Sequence, residues 1–450
     1  MLLEQIRNCV SAKTQITTFY DENTQSNHTV VFVQNTKEVQ QVIQFANKER
    51  IPVVARGAQT GLVGATKLLQ ESIVLDFMQM NRILEWDIET FTLTVEPGVL
   101  LQDLQQYVEE KGYMYPPDPG DKTASIGGNI STNAGGMRAV KYGVTRDYVM
   151  GLEVVTGAGE ILTLGGKCRK NSSGLDMKNL IIGSEGTLAV ITQAVLKIIP
   201  KPIASFSVLV PFPDLKTGIS TVLKIIQTNV KPTSIEFMER DIIQEAEQFL
   251  ETKFPVQIGE AFILLTFDGS EISELKREAA QIEMVCHEHG ALDYVYLTDP
   301  QVIQNVWTVR GALVTALEAH CELIPIDIVV PIHQTAELIQ YTKILEKKFG
   351  VRIRSFGHAG DGNVQSCILR DALDDETWAK KSQTVLQALY EKSHALGGLP
   401  SGEHGIGIDK KPYFLAVTEP LQLAYMQKIK AVFDPNQILN PGKVYHHLNI

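Results

Sequence analysis

Cysteine is scarce in this chain, and where it occurs it stands alone. Cys9, Cys168, Cys286, Cys321 and Cys367 include no CxxC pair, which excludes a cysteine-ligated iron–sulfur cluster held by this chain alone and gives no disulfide framework. Long apolar runs are missing too. The best stretch, Leu188 to Ile199, is broken by Gln193 and Lys197, well short of the ~20 apolar residues of a membrane-spanning helix. Basic charge is in deficit: 41 Lys and Arg face 52 Asp and Glu, a net charge of -11. Nucleic acid is therefore not an expected partner, since phosphate contacts need a basic face. The opening MLLEQIRNCVSAK lacks the basic–apolar–small order of a secretory signal, and Glu4 argues against a transit peptide. A cytoplasmic location is expected, with any membrane association made through a partner. The nucleotide signatures GxGxxG and GxxxxGK[ST] are both absent.

Glycine, by contrast, is concentrated where it can act. Pro116 to Gly143 reads PPDPGDKTASIGGNISTNAGGMRAVKYG, with two Gly-Gly pairs (Gly127–Gly128 and Gly135–Gly136) separated by Asn129, Asn133 and small hydroxyl residues. Such a stretch lets the backbone approach a ligand closely and presents many N–H donors, a lining suited to phosphate or a planar heterocycle. Ile126 and Ile130 flank the first pair, which sets it apart from a polar linker. Upstream, IPVVARGAQTGLVGA predicts a buried strand over 51–55 running into a turn that carries Arg56, Gly57, Thr60, Gly61 and Gly64. Turn amides with an Arg and a Thr suit a pyrophosphate.

At 450 residues, with 44% hydrophobic and 21% charged residues, the chain has the composition of a globular protein and room for about three domain-sized units. After a mobile N-terminal arm, a strand over 29–34, a helix over 36–50 and the strand at 51–56 predict a βαβ-like opening. A hairpin follows over 83–96, then a helix over 100–111 stopped at Gly112, then a hairpin about Thr156–Gly159. Pro200 and Pro202 mark a boundary. Beyond it strands alternate with longer helices, and VLVPF and IVVPI each precede a helix. An antiparallel sheet with helices on one face is predicted there.

RGAQTG (56–61), PPDPG (116–120), SIGGNISTNAGG (125–136), KYG (141–143) and GSEGTLAVIT (183–192), followed by WTVR (307–310), GHAGDGN (357–363), SGEHGIG (401–407) and FDPNQILNPGK (433–443), run in one order along nearly the whole chain. In these segments the sequence resembles the D-lactate, glycolate and D-2-hydroxyglutarate dehydrogenase branch of the vanillyl-alcohol-oxidase flavoprotein superfamily. The resemblance implies an α+β fold: a two-part FAD-binding domain over 1–203, an antiparallel-sheet cap domain over 204–419 that binds substrate, and a segment over 420–450 returning to the FAD domain. It implies FAD contacts at Arg56, Gly57, Gln59, Thr60, Gly61, Pro117, Asp118, Ser125, Gly127, Gly128, Asn129, Thr132, Asn133, Gly135, Gly136, Tyr142, Gly143, Glu185, Gly186, Ile191 and Asn440. Covalent relatives place a His in the first glycine loop. Gln59 and Thr60 stand there, so noncovalent FAD is expected.

The same resemblance implies oxidation of a small 2-hydroxy acid. Arg310 is the expected carboxylate anchor, because a guanidinium matches a carboxylate bidentately and stays charged in a closed site. His404 is the expected base, and His358 and Glu403 the expected ligands of a divalent metal (zinc, manganese or iron). Where such relatives carry a second His this chain has Gln365, whose neutral amide oxygen replaces imidazole poorly. Either a weaker site uses Gln365 or water, or the metal is lost and His404 works without it. Relatives acting on dicarboxylates hold the distal carboxylate with a Thr and a Lys, in whose places Val314 and Pro325 stand. D-lactate or glycolate is favoured over D-2-hydroxyglutarate, because an unpaired buried carboxylate costs several kcal/mol. Electrons are expected to leave to an electron-transfer flavoprotein, an iron–sulfur subunit or a quinone. Two other functions stay open at this point: a non-redox flavoprotein transferase of the ether-lipid synthase kind, and a flavin-binding electron-transfer subunit.

Overall fold

The computed structural model of the protein describes residues 2–445 and divides them into two compact units. The first unit is built from residues 2–135, 144–201 and 403–445, and the second from residues 136–143 and 202–402. The chain therefore re-enters the first unit at Glu403, earlier than position 420, and the KYG segment groups with the second unit.

In the first unit, the helix Thr36–Glu49 starts where the Asn35 side chain accepts the Glu38 N–H, and ends at Arg50 in left-handed conformation. Its apolar face (Val39, Val42, Ile43, Ala46) is fully buried against a four-stranded sheet in the order Ile16–Asp21, Ser26–Phe32, Ile73–Asp76, Val53–Arg56. The last three strands run parallel and the first antiparallel. A second sheet, antiparallel throughout, orders Ile83–Asp87, Thr92–Val95, Ala189–Lys197, Val149–Thr156 and Ile161–Gly165. Val155 and Val190 from this sheet, with Ile438 and Leu439 from the closing segment, complete the core over that helix. The expected mobile N-terminal arm is instead ordered: Leu2–Arg7 is helical with Ile6 fully buried, and Ile16–Asp21 pairs along Ser26–Phe32.

In the second unit, seven antiparallel strands lie in the order Val295–Leu297, Ala204–Phe212, Ala261–Gly269, Ser234–Glu239, Arg352–His358, Asn363–Leu369, Leu323–Val329. Helices cover both faces rather than one. Leu209, Met238, Phe262, Leu264 and Phe356 pack against the helices Arg240–Phe249, Pro300–Gly311 and Leu313–Glu318. The alternate residues of the same strands face the helices Leu215–Ile226, Ile272–Glu288 and Thr335–Phe349. The strand sequences explain the difference: SVLVPF and AFILL are near-continuous apolar runs, the pattern of strands buried on both sides. Among the described residues no helix is long and apolar enough to cross a membrane.

The closing segment is tied into the first unit by one buried ion pair. Lys430 Nζ meets Asp434 Oδ2 at 2.8 Å and also donates to the carbonyls of Thr187 and Leu439, while Asp434 accepts the Ile438 and Leu439 N–H groups. Both side chains are almost completely excluded from solvent. Removing one partner leaves an uncompensated buried charge, which costs about 3–5 kcal/mol. Asp434→Ala is expected to lower unfolding stability by about that amount, read as a drop in the chemical-denaturation midpoint; a midpoint unchanged from wild type would show the pair is dispensable.

Candidate functional site

The parallel strands Val53–Arg56 and Ile73–Asp76 end at a cavity with about 930 Å³ of atom-free space, part of it open to solvent, and Ala55, Arg56 and Phe77 form its floor. Crevices beyond the carboxyl ends of parallel strands are where α/β proteins bind ligands. Of the expected cofactor contacts, Arg56, Gly57, Gln59, Thr60, Gly61, Ser125, Gly127, Gly128, Asn129, Thr132, Glu185, Gly186, Ile191 and Asn440 line this cavity. The two glycine-rich stretches meet at Ser125. Its Oγ caps the short helix Ile126–Thr132 by accepting from Gly128 N at 3.3 Å and also accepts from Ala58 N at 3.4 Å. Gly57 must be glycine for this approach, since a Cβ there would lie 2.1 Å from Ser125 Oγ.

Other expected contacts sit elsewhere. Pro117 and Asp118 lie beside Gln105, which donates to both, and Asp118 is paired with Lys122. Asn133 closes the short helix in left-handed conformation, and its side chain accepts from Arg146 N. Gly135 stands beside the Glu403 side chain. Gly136, Tyr142 and Gly143 belong to the second unit, where the Tyr142 hydroxyl donates to Asp268 at 2.9 Å.

Two buried polar atoms on the cavity wall, Arg56 Nε and Asn440 Oδ1, have no hydrogen-bond partner. A buried donor or acceptor left unmade costs ~1–3 kcal/mol, which marks this wall as suited to a polar guest. The turn amides of 57–61 and the glycine pair at 127–128 add close-approach backbone, which fits a dinucleotide cofactor.

Glu185 does more than line the cavity. Its carboxylate accepts from Ile406 N at 2.7 Å and Gly407 N at 2.8 Å, clamping the loop that carries Glu403 and His404. Gly407 has φ +53, and a Cβ there would sit 2.0 Å from Val63 O. Burial pushes the Glu185 carboxyl above the usual range, while the two amide bonds pull it back. His404 Nε2 lies 4.0 Å from Glu403 Oε1, and both side chains are largely buried.

In the second unit, one face of the sheet gathers the polar side chains. Glu236 stands opposite His358 on neighbouring strands, His358 opposite Asn363, and Gln365 opposite Asp327. Arg310 reaches the same cluster from the last turn of the helix Pro300–Gly311: its Nε (3.1 Å) and Nη2 (2.6 Å) both donate to Glu236 Oε2. Glu236 Oε1 lies 2.7 Å from His358 Nδ1. Complete burial works against ionisation of Glu236, yet His358 and Arg310 together hold its carboxyl below the usual range. The guanidinium keeps its other edge, Nη1 with the second Nη2 hydrogen, as a two-donor surface. Asp327, also fully buried, accepts from Asn363 Nδ2, Ser401 Oγ and Gly402 N.

Glu236 and Asp327 are absent from the sequence-based set. The signal was the isolated acid inside an apolar strand (Glu236 in SIEFME, Asp327 in IPIDIV), because a buried carboxylate needs dedicated partners. Ala55, Ala58, Phe77, Pro97, Ser131, Ala189 and Val190 are among the further wall residues that the expected contacts did not include. Among the described residues no group of three or more His, Cys, Asp or Glu is arranged to hold a metal ion.

Family models match in two blocks: the FAD binding domain over residues 28–165, and the C-terminal domain of FAD linked oxidases over residues 201–444. The chain is 42% identical to a D-lactate dehydrogenase of Anaerostipes hadrus, over 92% of this chain and 88% of the relative. It is 36% identical to glycolate oxidase subunit GlcD of Bacillus subtilis (strain 168), over the same shares, 92% and 88%. Among solved structures, p-cresol methylhydroxylase with substrate bound matches with a TM-score of 0.80 and 16% identity, over 100% of this chain and 97% of that one. At that identity the likeness speaks for the fold alone, and it agrees with the α+β, vanillyl-alcohol-oxidase type of architecture expected from the motifs.

His358 and Gln365 share the sheet face as diagonal neighbours across one strand pair, a spacing of ~7–8 Å that side chains can bridge. Gln365→His would place two imidazoles there. It is expected to raise affinity for zinc or manganese at least about tenfold, since imidazole is a far better ligand than an amide oxygen. Isothermal titration against wild type checks this, and equal affinities would remove Gln365 from any ligand role.

Proposed function

This chain belongs to the FAD-linked oxidases, and on that footing we propose that it oxidises a small D-2-hydroxy monocarboxylate, D-lactate or glycolate, to the 2-oxo acid. The observation that carries the reading is Arg310, fixed by Glu236 along one edge and presenting the other as a rigid two-donor fork. Such a fork suits one carboxylate. Because Glu236 cancels the guanidinium charge, its hold on substrate comes from directed hydrogen bonds, which align the α-carbon as well as bind it.

FAD is the cofactor, and its flavin ring supplies the hydride acceptor. Arg56 and Asn440, with the glycine turns joined at Ser125, are the residues that would hold it. Gln59 and Thr60 provide no His for a covalent link, so attachment is noncovalent. His404, on the loop clamped by Glu185, takes the hydroxyl proton as general base. Val314 packs into the apolar core and Pro325 lies within a paired strand, and neither can pair with a second carboxylate, which supports a monocarboxylate. With no cluster ligands in the chain, electrons pass to a separate acceptor: an electron-transfer flavoprotein, an iron–sulfur subunit or a quinone.

Acid precipitation of the yellow protein is expected to release FAD into the supernatant; flavin retained in the pellet would show a covalent bond. Anaerobic bleaching of the flavin by a panel of 2-hydroxy acids should be fastest with D-lactate or glycolate, and bleaching only by dicarboxylates would overturn the substrate class. Arg310→Lys is expected to raise KM and lower kcat together, since a point charge holds the carboxylate without fixing its orientation. Wild-type turnover in that variant would reduce Arg310 to a structural role.

A further inference from the structure

Glu236 is completely buried, and its two oxygens are divided between two residues. A carboxylate paired with a guanidinium frequently meets the fork with both oxygens, the parallel bidentate pair. Here Oε2 alone takes both Arg310 nitrogens, and Oε1 is left for His358 Nδ1 at 2.7 Å. The division is built into the sheet, because Glu236 and His358 are direct register partners on adjacent antiparallel strands. An ionised carboxylate accepts and cannot donate, so the hydrogen in the Glu236–His358 contact belongs to Nδ1. In neutral His358, Nε2 then carries no proton.

We propose that Glu236 is a positioning residue that locks the ring orientation and tautomer of His358 and the rotation of the Arg310 fork as one unit, keeping His358 Nε2 an acceptor. An acceptor there can meet a hydroxyl group or a cation and cannot meet another acceptor such as a carboxylate oxygen, so it selects which end of a hydroxy acid lies beside it while Arg310 takes the carboxylate. This rests on the reading of Arg310 given above. The tautomer itself is a property of the resting protein and does not depend on which acid is oxidised.

The test begins with the wild-type protein labelled with nitrogen-15 at histidine and studied above the range where imidazole protonates. Long-range proton–nitrogen correlations identify the His358 ring by its loss in His358→Gln. The expected pattern is the Nδ1–H tautomer; an Nε2–H ring in wild type overturns the proposal at once. Glu236→Gln keeps the shape but offers an amide, whose oxygen stays with Arg310 and whose NH2 faces Nδ1, so the His358 ring should switch to Nε2–H. Flavin reduction should slow about 10–100-fold, the range seen when partners that orient a histidine are lost, with FAD content retained. Glu236→Asp keeps the charge on a shorter arm and should retain the wild-type tautomer with an intermediate rate. A Glu236→Gln protein with wild-type tautomer and rate would overturn the proposal. Should that variant fail to fold, the wild-type spectrum and Glu236→Asp still decide. If no 2-hydroxy acid reduces the flavin yet the tautomers behave as stated, the substrate reading fails and the positioning role stands.

Discussion

The first unit depends on the Lys430–Asp434 pair. Isolated, either charge would be too costly to bury. Together, and with every remaining valence given to backbone, they fix the course of residues 434–440. Leu439 is thereby bridged to Val53, beside the strand that ends at the cavity. The next residue, Asn440, bonds the carbonyls of Glu185 and Ala65 through its amide nitrogen and keeps its oxygen buried without a hydrogen-bond partner. Glu185, held from that side, clamps the loop bearing Glu403 and His404. One ion pair thus governs both the cavity wall and the seat of Glu403 and His404.

A common device recurs in both units: a buried acid whose oxygens are spent on holding a loop or a side chain. Glu185 holds two amides of one glycine loop, Asp327 holds Ser401 and Gly402, and Glu236 holds Arg310 and His358. Inside a low-dielectric interior such hydrogen bonds are strengthened and define position sharply. Glycines 405 and 407 leave the backbone of that loop little side-chain anchorage of its own. Its rigidity is supplied from outside the loop, by Glu185.

What could be read from the sequence was whatever is local. The turn at 56–61 and the glycine pair at 127–128 announce a backbone-lined pocket without knowledge of the fold, because close approach is written in residue type. Strand and helix positions over 29–56 followed from periodicity, as did most strands after residue 204. Contacts between distant strands were hidden: Glu236 meets partners 74 and 122 positions away, and nothing near it in sequence reveals them. Two-sided burial of the larger sheet was visible in its unbroken apolar strands but was overridden by the expectation of a single helical layer. The N-terminal arm misled because its polar spacing conceals one buried anchor, Ile6, and an edge strand whose pattern is mostly exposed.

The discontinuity of the first unit carries a consequence for how the protein comes into being on the ribosome. Its core needs Ile438 and Leu439, and its cavity needs Asn440, yet the stretch 202–402 emerges in between. At ~5–20 residues per second of synthesis, the early part of the first unit waits roughly ten to fifty seconds for its last wall. The stretch 202–402 is nearly continuous and is free to collect its own strands meanwhile. Cofactor capture is therefore a late event in biogenesis, and the half-built glycine cradle spends that interval with Val53 and the strand beside it lacking their final cover.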